Sequence, residues 1–282
     1  MNQSPVKEFF TSCYKNRSFM LGFIMVLSIV ICAIFAEQIA PYSYDGVDPG
    51  AVLQAPSGEH WLGTDGMGRD LFSRIIFGTR ITLEVAAVGA GLQLIIGVTF
   101  GLLSGYFGGI VDKVLLFIAD VTYAIPGLIA ALAVVTIIGT SLINAIIAIA
   151  IVNWAAYTRM VRAKTMSIKN QAFIETGISF GESSFAIMFR YILPNIVPII
   201  IVTVSMQLPG TIMSTTTLSF LGVGSQPPSP DWGLMVSEGI SFIQRGPWLA
   251  FFPGLALVYT VFGFNVLGEG LRDLLDPRMK SQ

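Results

Sequence analysis

Charge is what this chain has least of. Asp, Glu, Lys and Arg together make 12% of its 282 residues, about half the share of an ordinary soluble domain, against 54% hydrophobic residues. A single globule facing water on all sides is therefore excluded, and the bilayer is the expected solvent. The net charge of -1, with basic residues scattered rather than gathered into a stripe, points away from any nucleic-acid partner. Cys13 lies in a polar tail and Cys32 inside an apolar run, so the two thiols make no disulfide framework and give no redox compartment. His60, the one histidine, stands beside Glu59 in a loop bearing Pro and Gly. With no second ligand at metal spacing, a solvated loop residue is expected there and no metal site. Also missing are the phosphate loop G-x-x-x-x-G-K-[ST], H-E-x-x-H and paired-Cys zinc signatures. No catalytic residue, no cofactor and no ATP site are expected.

What the chain does have is apolar runs. A membrane helix needs about 20 mostly apolar residues, and six stretches qualify, at about 19–36, 81–106, 111–138, 141–158, 192–222 and 247–268. The first, behind Lys15 and Arg17, is longer than the roughly 7 to 15 residues of a signal-peptide core and no A-x-A site follows it, so it reads as a retained span. The fifth contains Pro209-Gly210 and is either one kinked span or a span plus a short re-entrant piece. With the N-terminus inside, twelve of the 16 Lys and Arg residues fall on inner segments, leaving only Arg69, Arg74, Arg80 and Arg245 outside. That bias places both termini in the cytosol. The expected organisation is an all-α integral membrane protein. Residues 1–18 form a cytoplasmic tail, 19–36 the first span, 37–80 an outer loop, and 81–282 a core of five spans with a cytoplasmic segment at 159–190 and an outer loop at 223–246. In the tail, Val6, Phe9, Phe10, Cys13 and Tyr14 recur with helical period opposite Lys7, Glu8, Ser12 and Lys15, the pattern of a short helix on the inner lipid surface.

Arg159 to Arg190 carries seven charges, which at the bilayer centre would cost on the order of 20 kcal/mol. The segment is therefore wetted, and on this topology by cytosol. Within it Glu175, Ile178, Ser179 and Glu182 can share a helical face while Gly177 and Gly181 loosen the backbone. Taken alone, this is as consistent with a plain solvated loop as with a docking handle. Gly97, Gly101 and Gly105 line one face of the second span and form a packing seam, within this chain or against a second membrane chain. Asp120 and Glu84 are the carboxylates nearest hydrocarbon. Asp120 is read either as structural, bonded against helix ends, or as pore-lining.

The order of these features resembles the inner-membrane permease subunits of ATP-binding-cassette importers, in the dipeptide, oligopeptide and nickel group, and within it the C-type permease of the pair. The group signature E-A-A-x-x-x-G followed by I-x-L-P corresponds to Glu175-Thr176-Gly177-Ile178-Ser179-Phe180-Gly181 and Tyr191-Ile192-Leu193-Pro194, with both alanines replaced. Further strings match in order: LGTDGMGRDLFSRIIFGTRITL (62–83), GYFGGIVD (105–112), LSFLGVGSQPPSPDWG (218–233), PWLAFFPG (247–254) and FNVLGEGLRDLLDPR (264–278). Two departures stand out. Thr216-Thr217 replace the usual Glu-Ala before Leu-Ser-Phe-Leu-Gly, and Phe117, Ile118 and Ala119 stand where a basic residue usually precedes the third-span Asp.

The resemblance implies a type I importer permease fold, a second and different permease chain, two ATP-binding subunits that hydrolyse ATP, and an extracytoplasmic binding protein that delivers cargo to the outer loops. It implies that Glu175, Thr176, Gly177, Gly181, Glu182, Leu193 and Pro194 form the coupling segment seated in an ATP-binding subunit. Candidate path-lining groups are Asp120, Thr211, Ser214 and Thr215, because polar atoms in kinked spans tend to face a cavity. Short peptides are the expected cargo, with nickel or another metal chelate as the alternative. A self-powered secondary transporter or channel would show a repeat or clustered midplane carboxylates, and a membrane enzyme would show a nucleophile with its base. The sequence displays none of these.

Overall fold

The computed structural model describes residues 12–275, so most of the expected tail helix lies outside the described residues. Within them five helices are long and apolar enough to cross a bilayer, and a bent helix pair makes a sixth crossing by length and composition.

Helix α1, Arg17–Ile34, starts where the Asn16 side chain accepts the Phe19 N–H at 2.9 Å. Helix α2, Leu71–Phe107, begins ten residues before the hydropathic boundary. Asp70 caps it, accepting the Ser73 N–H at 2.8 Å, and its early charges are compensated. Arg80 donates to the Ala33 carbonyl and to Glu37 at 2.7 and 3.1 Å. The expected third span is two helices, α3 (Gly109–Ala124) and α4 (Gly127–Ile138), meeting at 94°. Pro126 between them supplies no N–H to continue the ladder. Helix α5, Leu142–Ile168, is capped by Ser141 and runs ten residues past the apolar stretch. At 1.5 Å per residue it is about 40 Å long and outreaches a ~30 Å hydrocarbon core.

A short helix α6, Ala172–Ser179, then leads into α7, Ser184–Phe220, which settles the Pro209-Gly210 question as one continuous helix. Pro209 leaves the Ser205 carbonyl without its helical donor. The backbone of the last helix covers it at Gly268, where an added Cβ would lie 3.1 Å from that oxygen. Helices α8, Trp232–Ile240, and α9, Trp248–Leu275, complete the chain.

Two seams hold the bundle. Gly97, Gly101 and Gly105 of α2 lie against Tyr157, Val161 and Thr165 of α5, and a Cβ at Gly101 would stand 2.5 Å from that of Val161. This seam is internal to the chain. Where α2 turns into α3, Arg162 of α5 grips Asp112 with both Nε and Nη2, at 2.5 and 2.6 Å. The second seam joins α1 to α9, with Gly270 so close to Phe19 that a Cβ would come within 2.5 Å of its backbone.

At the end opposite α6, the loops fold over Leu71, Trp232, Met235 and Leu249 as one apolar core. The arginines that sequence reading placed there against the charge bias are neutralised internally. Arg69 pairs with Asp65 at 2.6 Å and Glu238 at 3.3 Å, while Arg74 lies 3.7 and 3.9 Å from the same two carboxylates. Arg74 also donates to the carbonyls of Tyr44, Pro228 and Ser229, stapling both loops together. His60 departs from expectation. It is buried, not solvated, because its Nδ1 sits 2.9 Å from the capping carboxylate of Asp70 and its ring packs on Tyr42.

Candidate functional site

Two places in the fold carry chemistry the bundle itself does not need. The first is α6. Its inner face is fixed: Ile174 and Gly177 are buried, and Ile174 joins Leu102, Val161, Ile187, Met188, Ile192 and Ile196 from α2, α5 and α7. A Cβ on Gly177 would come 2.8 Å from Ile187 Cδ1, so a larger residue there would have to displace that terminal methyl of α7. Its end is a Schellman turn. The Gly181 N–H donates to Ile178 O at 2.9 Å and the Glu182 N–H to Gly177 O at 3.2 Å, with Gly181 at φ +79°. That turn corrects the expected shared face: the helix stops at Ser179, and Glu182 lies beyond it. There Glu182 accepts from Arg190 at 3.4 Å and from the Tyr191 hydroxyl at 3.5 Å, back toward α7.

The outer face of α6 is open. Glu175 and Thr176 are exposed, and Ile178 and Phe180 are 52% and 84% exposed beside Phe173 and Phe185. These exposed apolar and aromatic side chains sit on a segment too charged for the bilayer. Leu193 packs against the cluster beneath α6, while Pro194 is exposed on α7, so the two halves of the sequence signature meet through Ile187 and Tyr191 rather than directly.

The second place is a polar cavity of about 240 Å³ near the middle of α2, α5 and α7. It is lined by Gln93, Tyr123, Asn153, Gln207, Thr211 and Ser214, with Gly210 and Ala156 leaving the space open. Thr211 is buried and accepts from Gln93 Nε2 at 3.1 Å. Of the four residues expected to line a path, only Thr211 and Ser214 reach this cavity. Thr215 is buried and donates back to the Thr211 carbonyl at 3.0 Å, as a hydroxyl on the packed side of its helix must. Asp120 lies outside the cavity, its carboxylate 65% exposed and 2.5 Å from Arg159. The cation paired with Asp120 thus comes from α5, and the Arg159 guanidinium lies 4.6 Å over the Tyr123 ring at the cavity edge. Sequence reading missed Gln93, Asn153 and Gln207. Their signal was available, since a lone amide inside an apolar run needs a polar partner or water.

Residues 97–281 match the family described as binding-protein-dependent transport system inner membrane component, and residues 4–56 match the N-terminal TM domain of oligopeptide transport permease C. The chain is 43% identical over 278 residues to the dipeptide transport system permease protein DppC of Alkalihalophilus pseudofirmus, covering 99% of this chain and 91% of that one. It is 40% identical over 280 residues to the glutathione transport system permease protein GsiD of Pectobacterium atrosepticum, covering 99% and 93%. The fold is similar to a chain of the MetNI methionine ABC transporter in inward-facing conformations, with a TM-score of 0.57 and 19% identity over 71% of this chain and 96% of that one. On the family match over residues 97–281 and the 43% identity along nearly its whole length, this chain belongs to the inner-membrane components of binding-protein-dependent transport systems, as a multi-pass permease.

Proposed function

We propose that this chain is one of two permeases of an ATP-driven importer of short peptides, with its α6 end in the cytosol. The peptide cargo rests on the relatives, which carry dipeptide and glutathione transport in their names. Orientation rests on Lys164, Lys169 and Arg190 clustering around α6. The observation that carries the mechanism is that α6 is pinned on one face and bare on the other. An ATP-binding subunit seats on Phe173, Glu175, Ile178 and Phe180. Nucleotide-driven movement of that subunit displaces α6. Because Ile174 and Gly177 are packed into α2, α5 and α7, the displacement is passed to those helices as a rigid unit.

The same helices line the polar cavity at their middles, so movement at α6 opens or closes it. Facing a second, different permease across this surface, the cavity becomes part of a continuous path. At the far end, the ion-paired network of Asp65, Arg69, Arg74 and Glu238 joins two loops into a single platform for the binding protein.

Two variants test the coupling role. Glu175→Lys reverses an exposed charge, and Gly181→Trp adds bulk where no atom lies within 4 Å of a Cβ. Both are expected to abolish uptake and to release the ATP-binding subunits during purification in mild detergent, while the permease still inserts. Normal uptake by both variants removes α6 from the mechanism.

A further inference from the structure

Among the described residues, the side chains of Asn153, Gln207 and Ser214 line the midplane cavity and make no hydrogen bond to another residue of the chain, whereas Gln93 and Thr211 hold one another. Bare amides and hydroxyls in hydrocarbon are costly, so these groups are placed for something they can hydrogen bond. Apart from Ala156 and Gly210, the lining side chains are amides, hydroxyls and one phenol, with no carboxylate, ammonium or guanidinium. The charges bordering it, Arg159 and Asp120, are already matched to each other at 2.5 Å. A charged cargo group would find no countercharge in the cavity. A peptide bond would, by contrast, find its complement, because a carboxamide offers donors and an acceptor in one plane, as the peptide group does.

We infer that Asn153 and Gln207 determine specificity on this side of the path by hydrogen bonding the backbone amides of the cargo while leaving its side chains unread. This rests on the peptide-permease reading above. The cavity, at about 240 Å³, is smaller than the roughly 300–1,000 Å³ of a complete small-molecule site. It is half a site, and the second permease completes it. A lining of this kind explains how one path passes peptides of differing side chains: the group it reads is the one they share.

The test uses the whole importer with its binding protein in proteoliposomes. Uptake of a tripeptide is compared with that of its depsipeptide isostere, in which one backbone N–H is replaced by oxygen. The binding protein is common to wild type and variant, so its own preference cancels when the two amide-to-ester uptake ratios are compared. Replacing both amides by leucine, Asn153→Leu with Gln207→Leu, is expected to lower that ratio about fivefold, the worth of one typical hydrogen bond. Gln207→Asn is expected to retain the greater part of it. Should the double variant fail to assemble, the single changes Asn153→Ala and Gln207→Ala are each expected to lower the ratio about twofold. An unchanged ratio in every variant that transports overturns the inference. A thiol at Ser214→Cys separates this failure from failure of the path itself. If the thiol is unreactive to water-borne reagents the cavity is not on the path and both readings fall. If it reacts and cargo protects it while the ratio is unchanged, only backbone recognition falls.

Discussion

Gly181 offers a perturbation whose size can be worked out from local geometry. Its φ of +79° lies in the left-handed region, and no heavy atom lies within 4 Å of a Cβ built there. Gly181→Ala therefore adds no clash; its whole effect is backbone strain, about 1–2 kcal/mol for an L-residue in that region. Asparagine tolerates the conformation better, so Gly181→Asn is expected to cost less than alanine despite being larger. The Schellman turn sets where α6 ends and how Ile178 and Phe180 are presented. The alanine penalty thus bears on any equilibrium requiring the turn, by a factor of about 5–30. Titrating the ATP-binding subunits onto detergent-solubilised permease is the assay. The expected order of affinity is glycine, then asparagine, then alanine. Alanine equal to glycine, or asparagine below alanine, would refute the claim that the turn's left-handed residue governs presentation of α6.

Two further outcomes follow from packing and titration. Gly101→Leu drives a side chain into Val161 on the α2–α5 seam, with the built Cβ already 2.5 Å from that residue. It is expected to destabilise by at least the 1–3 kcal/mol or so typical of overpacking. Gly91→Ala on the same helix, with nothing within 4 Å, is expected to be neutral or to stabilise by up to about 1 kcal/mol; thermal unfolding in detergent compares the two. Burial holds the Asp231 carboxyl above its usual range, opposed by the Leu234 N–H it caps at 3.0 Å. A pKa raised in the folded state means the fold binds that proton more tightly. The contribution of Asp231 to stability is therefore greatest below the unfolded carboxylate pKa of about 4 and is lost as pH rises toward the folded value. Asp231→Asn keeps an acceptor for the cap and is expected to flatten that part of the pH–stability curve; an unchanged slope would contradict the assignment.

The spans were legible because hydropathy is a local property, and their ends were not because compensation is long-range. Nothing near Arg74 in sequence announces that Glu238 will come within 3.9 Å of it, so the helix reads as starting after the arginines rather than before them. The glycine seam was legible from its four-residue spacing, since that period defines one face. The 94° break at Pro126 carried a signal in the proline itself, but the apolar composition on both sides masked it. At α6 the signature residues were identified, yet the assignment of Glu182 to the same face failed because the left-handed Gly181 ends the helix first. The cavity was half legible. Hydroxyls on a proline-bearing helix drew attention to Thr211 and Ser214, whereas Asn153 and Gln93 join them only through the way α2 and α5 cross.

Whether α6 is wetted by cytosol and gripped there is read by a single reactive thiol on its open face, at Ile178→Cys, in sealed vesicles of each orientation treated with a membrane-impermeant reagent. Labelling is expected only in inside-out vesicles and is expected to be suppressed when the ATP-binding subunits are bound. Labelling from the exterior of intact cells, or labelling undiminished by those subunits, would contradict the coupling role of α6.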